Sequence, residues 1–155
     1  PSQSITAALG SLDLSGPLSA QVDDVEDALL TVNDQLRLHA SNQGAGTTIG
    51  STVVTMIASE AAGVVLWAGD SRLYRLRDGR LEQITRDHNP VSDLLDSGAV
   101  SEEEALAADT NIITRAVGGQ PHLHLDVAVF DVQAGDTFLL CSDGVLLFIF
   151  IQVKL

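Results

Sequence analysis

Apolar residues recur at helical spacing through the first quarter of the chain. Between residues 19 and 40 the steps are of three and four, at Val22, Val25, Leu29, Val32 and Leu36. This single apolar stripe predicts an amphipathic helix. Residues 1–14 have a shorter stretch of the same period, and the Ser-Gly-Pro sequence at 15–17 separates the two.

The period changes to two after residue 47, where β-branched residues become frequent. Alternation and short apolar runs predict strands at 48–58, 63–68, 71–77, 80–85, 112–117, 122–130 and 137–141. Asp78-Gly79 is typical of a hairpin turn. Such short connections favour antiparallel neighbours, and the pattern predicts one α+β domain without an internal repeat or linker.

Two short helices are predicted within the segment 86–110. The first contains Val91, Leu94 and Leu95 and ends at Gly98. The second begins at Ser101, where Ser-Glu-Glu-Glu forms a capping box. We therefore expect a helical insertion between two groups of strands.

Composition and charge exclude several classes of function. The 155 residues fit one domain, and 8 basic against 21 acidic side chains give a net charge of −13. Such a charge argues against binding to nucleic acid or to an anionic membrane surface. The single cysteine, Cys141, excludes a disulfide framework, fits a reducing compartment such as the cytoplasm, and is expected to be a buried, inert thiol.

The two ends of the sequence are unusual. The only methionine is Met56, and residues 145–151 are seven consecutive apolar residues, far fewer than the roughly 20 of a membrane span. Residues 146–155 form an atypical tail that contains the only lysine of the chain, Lys154. We expect the chain to be truncated at both ends, and 145–151 to be prone to aggregation.

Two aspartates follow predicted strands and are candidate metal ligands. Asp70 lies in Ala-Gly-Asp-Ser-Arg, and Asp143 lies in Ser-Asp-Gly directly after an apolar strand. A carboxylate held at a strand end is a suitable hard ligand for Mg²⁺ or Mn²⁺. The alternative is that both are ordinary turn residues, with Asp70 pairing locally with Arg72.

Two further clusters have both a functional and a structural interpretation. His122, His124 and Asp126 would lie on one face of a strand and could bind zinc, or could simply be a solvent-facing edge. Five of the eight basic residues are Arg72, Arg75, Arg77, Arg80 and Arg86. They could bind an anionic ligand such as a phosphorylated peptide, or keep an exposed hairpin soluble.

The order of five sequence motifs along the chain resembles that of the bacterial branch of the metal-dependent (PPM, type 2C) serine/threonine protein phosphatases. The motifs are Gly-Thr-Thr at 46–48, Trp-Ala-Gly-Asp-Ser-Arg at 67–72, Gln-Ile-Thr-Arg-Asp-His at 83–88, Ile-Thr-Arg-Ala-Val-Gly at 113–118 and Gly-Asp-Thr-Phe-Leu-Leu-Cys-Ser-Asp-Gly at 135–144. The match covers residues 44–145, and within the branch it is similar to phosphatases encoded with type VI secretion systems.

The resemblance implies an αββα sandwich of two antiparallel sheets flanked by helices, incomplete in a chain whose residues 1–155 form a partial domain. It implies that Asp143 is a ligand of a binuclear Mn²⁺ or Mg²⁺ centre and that Asp70 binds a third metal. It places Arg72, Arg75 and His88 beside the substrate or the flap, which corresponds to residues 89–111. The metals would activate water and neutralise phosphate oxygens. The implied partners are proteins that a cognate serine/threonine kinase has phosphorylated.

The sequence also departs from the family pattern. The N-terminal Asp-Gly-Met-Gly-Gly-like motif and the closing Asp-Asn motif are missing, so that Asp143 is the remaining ligand of the binuclear centre. We therefore expect the family to be enzymatic and this chain alone to be inactive. The alternative is a non-catalytic pseudophosphatase that binds phosphopeptides through the arginine hairpin.

Overall fold

The computed structural model describes residues 1–96, 98, 101, 113–142 and 149–152. The helices are α1 (Ser2–Gly10), α2 (Leu18–Asn42) and α3 (Pro90–Asp96). The strands are β1 (Val53–Ala58), β2 (Ala62–Ala68), β3 (Arg72–Arg77), β4 (Arg80–Gln83), β5 (Asp126–Asp131), β6 (Thr137–Cys141) and β7 (Ile149–Gln152). They form a three-stranded sheet of order β1-β2-β5 and a four-stranded sheet of order β4-β3-β6-β7, with every pair antiparallel.

Strand β2 is apolar throughout because both of its faces are buried. Val64 and Leu66 pack with the helices on one side, in a core that includes Leu29 and Leu36 of α2. Val65 and Trp67 point to the opposite face, where they pack with residues of the second sheet such as Phe138. Alternate residues of a strand face opposite sides, so one strand contributes to two cores. The predicted α+β sandwich of two antiparallel sheets with packed helices is confirmed.

Helix α2 confirms the prediction from periodicity. Val25, Leu29, Val32 and Leu36 of the predicted stripe are buried, and Val22 packs at the margin of the same core. Helix α1 packs beside it through Ile5. These two helices form the layer that covers the three-stranded sheet.

The hairpin of β3 and β4 has the predicted turn. Asp78 has a φ of 50° and Gly79 a φ of 74°, which is the pair of positive angles that a tight hairpin turn needs. Arg77 pairs with Arg80 across it. Helix α3 also confirms the first of the two short helices, whereas most of the second, from residue 102 onward, lies outside the described residues.

Three predicted strands are wrong in extent. The strand predicted at 48–58 begins only at Val53. Residues 113–117 form no strand apart from a bridge between Ser51 and Val117, because their amides bond to different elements: Thr114 N–H donates to the carbonyl of His88 at 3.0 Å. The strand predicted at 122–130 begins at Asp126, where its pairing with β2 begins opposite Trp67.

The atypical tail contributes an element that the sequence did not predict. The backbone of Ile149–Gln152 forms β7, which pairs with β6 in the register Thr137 to Gln152. Part of the apolar run is therefore the fourth strand of the second sheet. Within the part of the chain that the structure describes, no helix is both long and apolar enough to cross a membrane.

Candidate active site

Asp70 lies on a tightly constrained turn at the end of β2. Gly69 precedes it with a φ of +107°, and a Cβ atom there would lie 2.3 Å from Cγ2 of Thr52. Only glycine fits both the backbone angle and this contact. Thr52 in turn shares a hydrogen bond of 2.8 Å with the hydroxyl of Ser71. The structure therefore places the half-buried Asp70 on a rigid strand end, as the sequence predicted.

His88 contacts this turn through both backbone and side chain. Its N–H donates to the carbonyl of Gly69 at 2.9 Å, and Gly69 N–H donates to Nδ1 of the His88 ring at 3.0 Å. The ring also stacks on Trp67, with centroids 5.9 Å apart and planes 10° apart. His88 is only 4% exposed. It is therefore part of the interior at this end of β2.

The second ring nitrogen of His88 faces a carboxylate. Nε2 lies 3.1 Å from Oδ2 of Asp126, and Arg115 donates to Oδ1 of Asp126 at 2.6 Å. Burial raises the pKa of Asp126, but the His88 hydrogen bond and the Arg115 charge outweigh burial, so that its pKa is below the usual value. Because Nδ1 accepts from Gly69, the neutral ring carries its proton on Nε2 and donates it to Asp126.

Of the two interpretations of His122, His124 and Asp126, the zinc site is not supported. His122 and His124 are exposed and precede β5, so the three residues do not share one face of a strand. Asp126 is turned to His88 and Arg115 instead. The described residues contain no group of three His, Cys, Asp or Glu side chains that could hold a metal ion.

Three of the five clustered arginines, those of strand β3, are paired with carboxylates. Arg72 donates two hydrogen bonds to Asp87, of 2.8 Å and 2.6 Å, and a third to the hydroxyl of Tyr74. These bonds raise the pKa of Arg72 above its ordinary value. Arg72 and Tyr74 thus share one face of β3, as alternation predicts.

Arg75 and Arg77 lie on the other face of β3 and both reach Asp131 of β5. Arg75 also pairs with Glu82, and Arg77 donates to both oxygens of Asp136, at 2.7 Å and 2.6 Å. The hydrogen bond from Arg77 is the main reason that the pKa of Asp131 falls to about 2. These ion pairs join the two sheets.

The donor set for the implied metals is incomplete within the described residues. Asp70 supplies the hard carboxylate oxygen that Mn²⁺ and Mg²⁺ prefer. Asp143 lies outside the described residues, so its position relative to Asp70 stays a prediction. One carboxylate is not a metal site, and the described part of the chain does not by itself fit a metal centre.

Sequence reasoning missed the contacts of three residues at this site. The motifs contain Trp67 and Arg115, and Asp126 is a candidate zinc ligand or an exposed strand residue, but none of these patterns indicates a contact with His88. Cys141, expected to be buried, is half-buried at the end of β6. The sequence shows Asp126 only as an acidic residue inside a predicted strand, which does not specify a partner 38 residues away.

Comparisons with known proteins identify relatives of this fold and sequence. No protein-family model matches the chain. It is 39% identical over 114 residues to the serine/threonine phosphatase Stp of Listeria welshimeri, a match that covers 73% of this chain and 45% of that protein. The chain thus spans about half the length of this relative.

Solved structures give the same result. The structure of PppA, described as a key regulatory component of T6SS in Pseudomonas aeruginosa, matches with a TM-score of 0.80 and 41% identity, covering 92% of this chain and 58% of that one. The catalytic domain of the phosphatase PstP, solved in complex with two manganese ions, matches with a TM-score of 0.68 and 34% identity, covering 92% and 60%. The chain is therefore homologous in sequence and fold to part of the bacterial PPM-type serine/threonine protein phosphatases.

Proposed function

We propose that this chain is part of a phosphatase domain that hydrolyses phosphoserine and phosphothreonine in proteins with the help of Mn²⁺ or Mg²⁺. The observation that carries the proposal is the shared fold with serine/threonine phosphatases over a segment that holds Asp70 on the constrained end of β2. A rigid carboxylate at a strand end is what a hard cation requires. The relatives are named as enzymes of this activity.

The proposed ligands are Asp70 and Asp143. When bound, the metals would supply an activated water and would neutralise the phosphate oxygens. The described residues contribute one of these carboxylates and no cluster of three candidate ligands. We therefore propose that the 155-residue chain alone is inactive and that activity needs the parts of the domain that its relatives have in addition.

We also propose the partners and the cellular setting by analogy. The substrates would be proteins phosphorylated by a cognate serine/threonine kinase. A link to type VI secretion is supported by the likeness to PppA, which is described as a regulator of that system. The expected compartment is the cytoplasm, with which the single cysteine is compatible.

A chimaera tests the activity. Residues 1–145 of this chain, which include both proposed ligands, replace the matched segment of PppA. Hydrolysis of p-nitrophenyl phosphate and of a phosphothreonine peptide is then measured with Mn²⁺, with Mg²⁺ and with a chelator. We expect metal-dependent turnover from the chimaera and none from the 155-residue chain. A chimaera that folds but shows no turnover would contradict the proposed activity. Turnover by the 155-residue chain alone would contradict its proposed inactivity.

The alternative, a phosphopeptide-binding pseudophosphatase, receives little support from the geometry. Three arginines of β3 are paired with four carboxylates, namely Asp87, Glu82, Asp131 and Asp136. Counted together, these three guanidinium groups and their four carboxylate partners have a net charge of −1, so the arginines of β3 do not present an uncompensated positive surface. Binding of a phosphopeptide that is lost in Arg75→Ala and insensitive to a chelator would favour this alternative.

A further inference from the structure

His88 makes two hydrogen bonds to Gly69, one through its ring and one through its backbone. The peptide group on each side of Gly69 is bonded to it: the amide donates to Nδ1, and the carbonyl accepts from the backbone N–H of His88. A single residue thus holds both peptide groups that flank Gly69. The side chain of Asp70 begins one residue later.

The ring of His88 is itself held in place on every side. It stacks on Trp67, whose Nε1 donates to the carbonyl of Arg86 at 2.7 Å. Its Nε2 donates to Asp126, which Arg115 holds from the other side. The ring orientation and the tautomer are therefore set by Asp126, and the acceptor at Nδ1 is kept pointing at Gly69.

The backbone of His88 connects the same turn to a third segment. Its carbonyl accepts from the N–H of Thr114 at 3.0 Å. Thr114 precedes Arg115, and the side chain of Arg115 binds Asp126, the same carboxylate that faces the ring of His88. The turn of Gly69, the segment at 113–117 and the beginning of β5 are joined by this one residue.

We propose that His88 is the positioning residue that fixes both peptide groups of Gly69, one through its ring and one through its backbone, and thereby the carboxylate of Asp70. This rests on the proposed function only in that Asp70 is taken as a metal ligand. His88 would act by positioning Asp70 and not by contacting the substrate, because its ring is buried and both ring nitrogens are already hydrogen-bonded. Residues that orient a ligand from behind it commonly change metal affinity by about 10–100-fold when they are replaced.

Two substitutions separate the two ring nitrogens. His88→Asn retains an acceptor near the position of Nδ1 and loses the contact with Asp126, whereas His88→Gln retains a donor near Nε2 and loses the acceptor for Gly69. Both keep the backbone bonds. Hydrogen exchange of the Gly69 amide, followed by NMR in the 155-residue chain, reports the contact directly and needs no metal.

We expect exchange at Gly69 to accelerate about tenfold or more in His88→Gln and by less than about threefold in His88→Asn, since a buried N–H that loses its acceptor opens to solvent more readily. The amide of Leu66 in the middle of β2 should be unaffected in both. Unchanged exchange at Gly69 in His88→Gln would overturn the proposal. Equal acceleration at Gly69 and Leu66 would also overturn it, because His88 would then only stabilise the fold.

The same substitutions in the PppA chimaera test the consequence for Asp70. We expect His88→Gln to raise the Mn²⁺ concentration for half-maximal activity by about tenfold or more, with a much smaller change in kcat at saturating Mn²⁺. A fall in kcat with an unchanged Mn²⁺ requirement would contradict positioning of Asp70. If the unsubstituted chimaera has no activity, the proposed function fails, while the exchange of Gly69 still decides the contact of His88.

Discussion

Asn33 connects helix α2 to the turn at 118–120, and its replacement offers a measurable perturbation. The residue is 1% exposed, although it is an amide in the middle of a helix. Its Oδ1 accepts from the N–H of Gly118 at 2.7 Å, and its Nδ2 donates to the carbonyl of Gln120 at 3.2 Å. In Asn33→Ala both partners lose these bonds.

The expected cost follows from the burial of the two partners. The N–H of Gly118 is buried, and a buried group left without a partner costs about 1–3 kcal/mol. Gln120 is exposed, so water can replace its bond. Alanine favours a helix over asparagine by about 0.5 kcal/mol, which offsets part of the loss. We expect the free energy of unfolding to fall by about 2 kcal/mol.

Urea unfolding followed by the fluorescence of Trp67, the only tryptophan, measures this change. The matched control is Gln35→Ala, an exposed position on the same helix, which we expect to change stability by less than about 0.5 kcal/mol. Hydrogen exchange at Gly118 should accelerate only in Asn33→Ala. Equal stability of the two variants, or unchanged exchange at Gly118, would refute the reasoning.

Three further predictions concern the turn, the ion pairs and the core. Gly69→Ala should destabilise the fold by about 2 kcal/mol or more, since its Cβ would overlap Thr52 in a positive-φ backbone, and Thr52→Gly in the same chain should restore part of the loss in a urea melt. The pKa of Asp131 is lowered to about 2, so its contribution is present above the unfolded value of 3.8 and is lost as pH falls toward 2. Asp131→Asn should therefore flatten stability against pH in that range, and an unaltered slope would contradict the ion pairs. Phe138→Ala should cost about 3–5 kcal/mol because Phe138 is fully buried between the sheets, whereas Val129→Ala, at a residue 71% exposed, should cost less than about 0.5 kcal/mol; similar costs would place the core elsewhere.

Local patterns predicted the elements whose residues interact mainly with their own neighbours in the chain. Helix α2 follows from the spacing of Val25, Leu29 and Leu36, because a helix brings residues three and four apart to one face. The hairpin follows from Asp78-Gly79, because its turn is closed within four residues. Strand β2 follows from a run of apolar residues that only a strand buried on both faces explains.

The pattern misled where a segment alternates without a partner strand. Leu123 and Leu125 both pack on the core beneath the helices. Their burial alone explains the alternating pattern, without a strand. Whether alternation becomes a strand depends on a neighbouring strand with available backbone groups, and the pairing with β2 stops at Trp67, opposite Asp126. The reverse occurred at Ile149–Gln152, where β6 supplies a partner for a run that had no alternation.

The sequence by itself determined most of the helices and strands of this protein and the place of Asp70 at the end of a buried strand, because hydrophobic period and turn chemistry act over a few residues. Only the tertiary structure decided that His88 accepts from Gly69 and faces Asp126, which is 38 residues further along the chain. It likewise decided that the arginines of β3 bind carboxylates of the protein itself. Side-chain pairings of this kind depend on which strands become neighbours and in which register, and this is fixed only when both cores are packed at once.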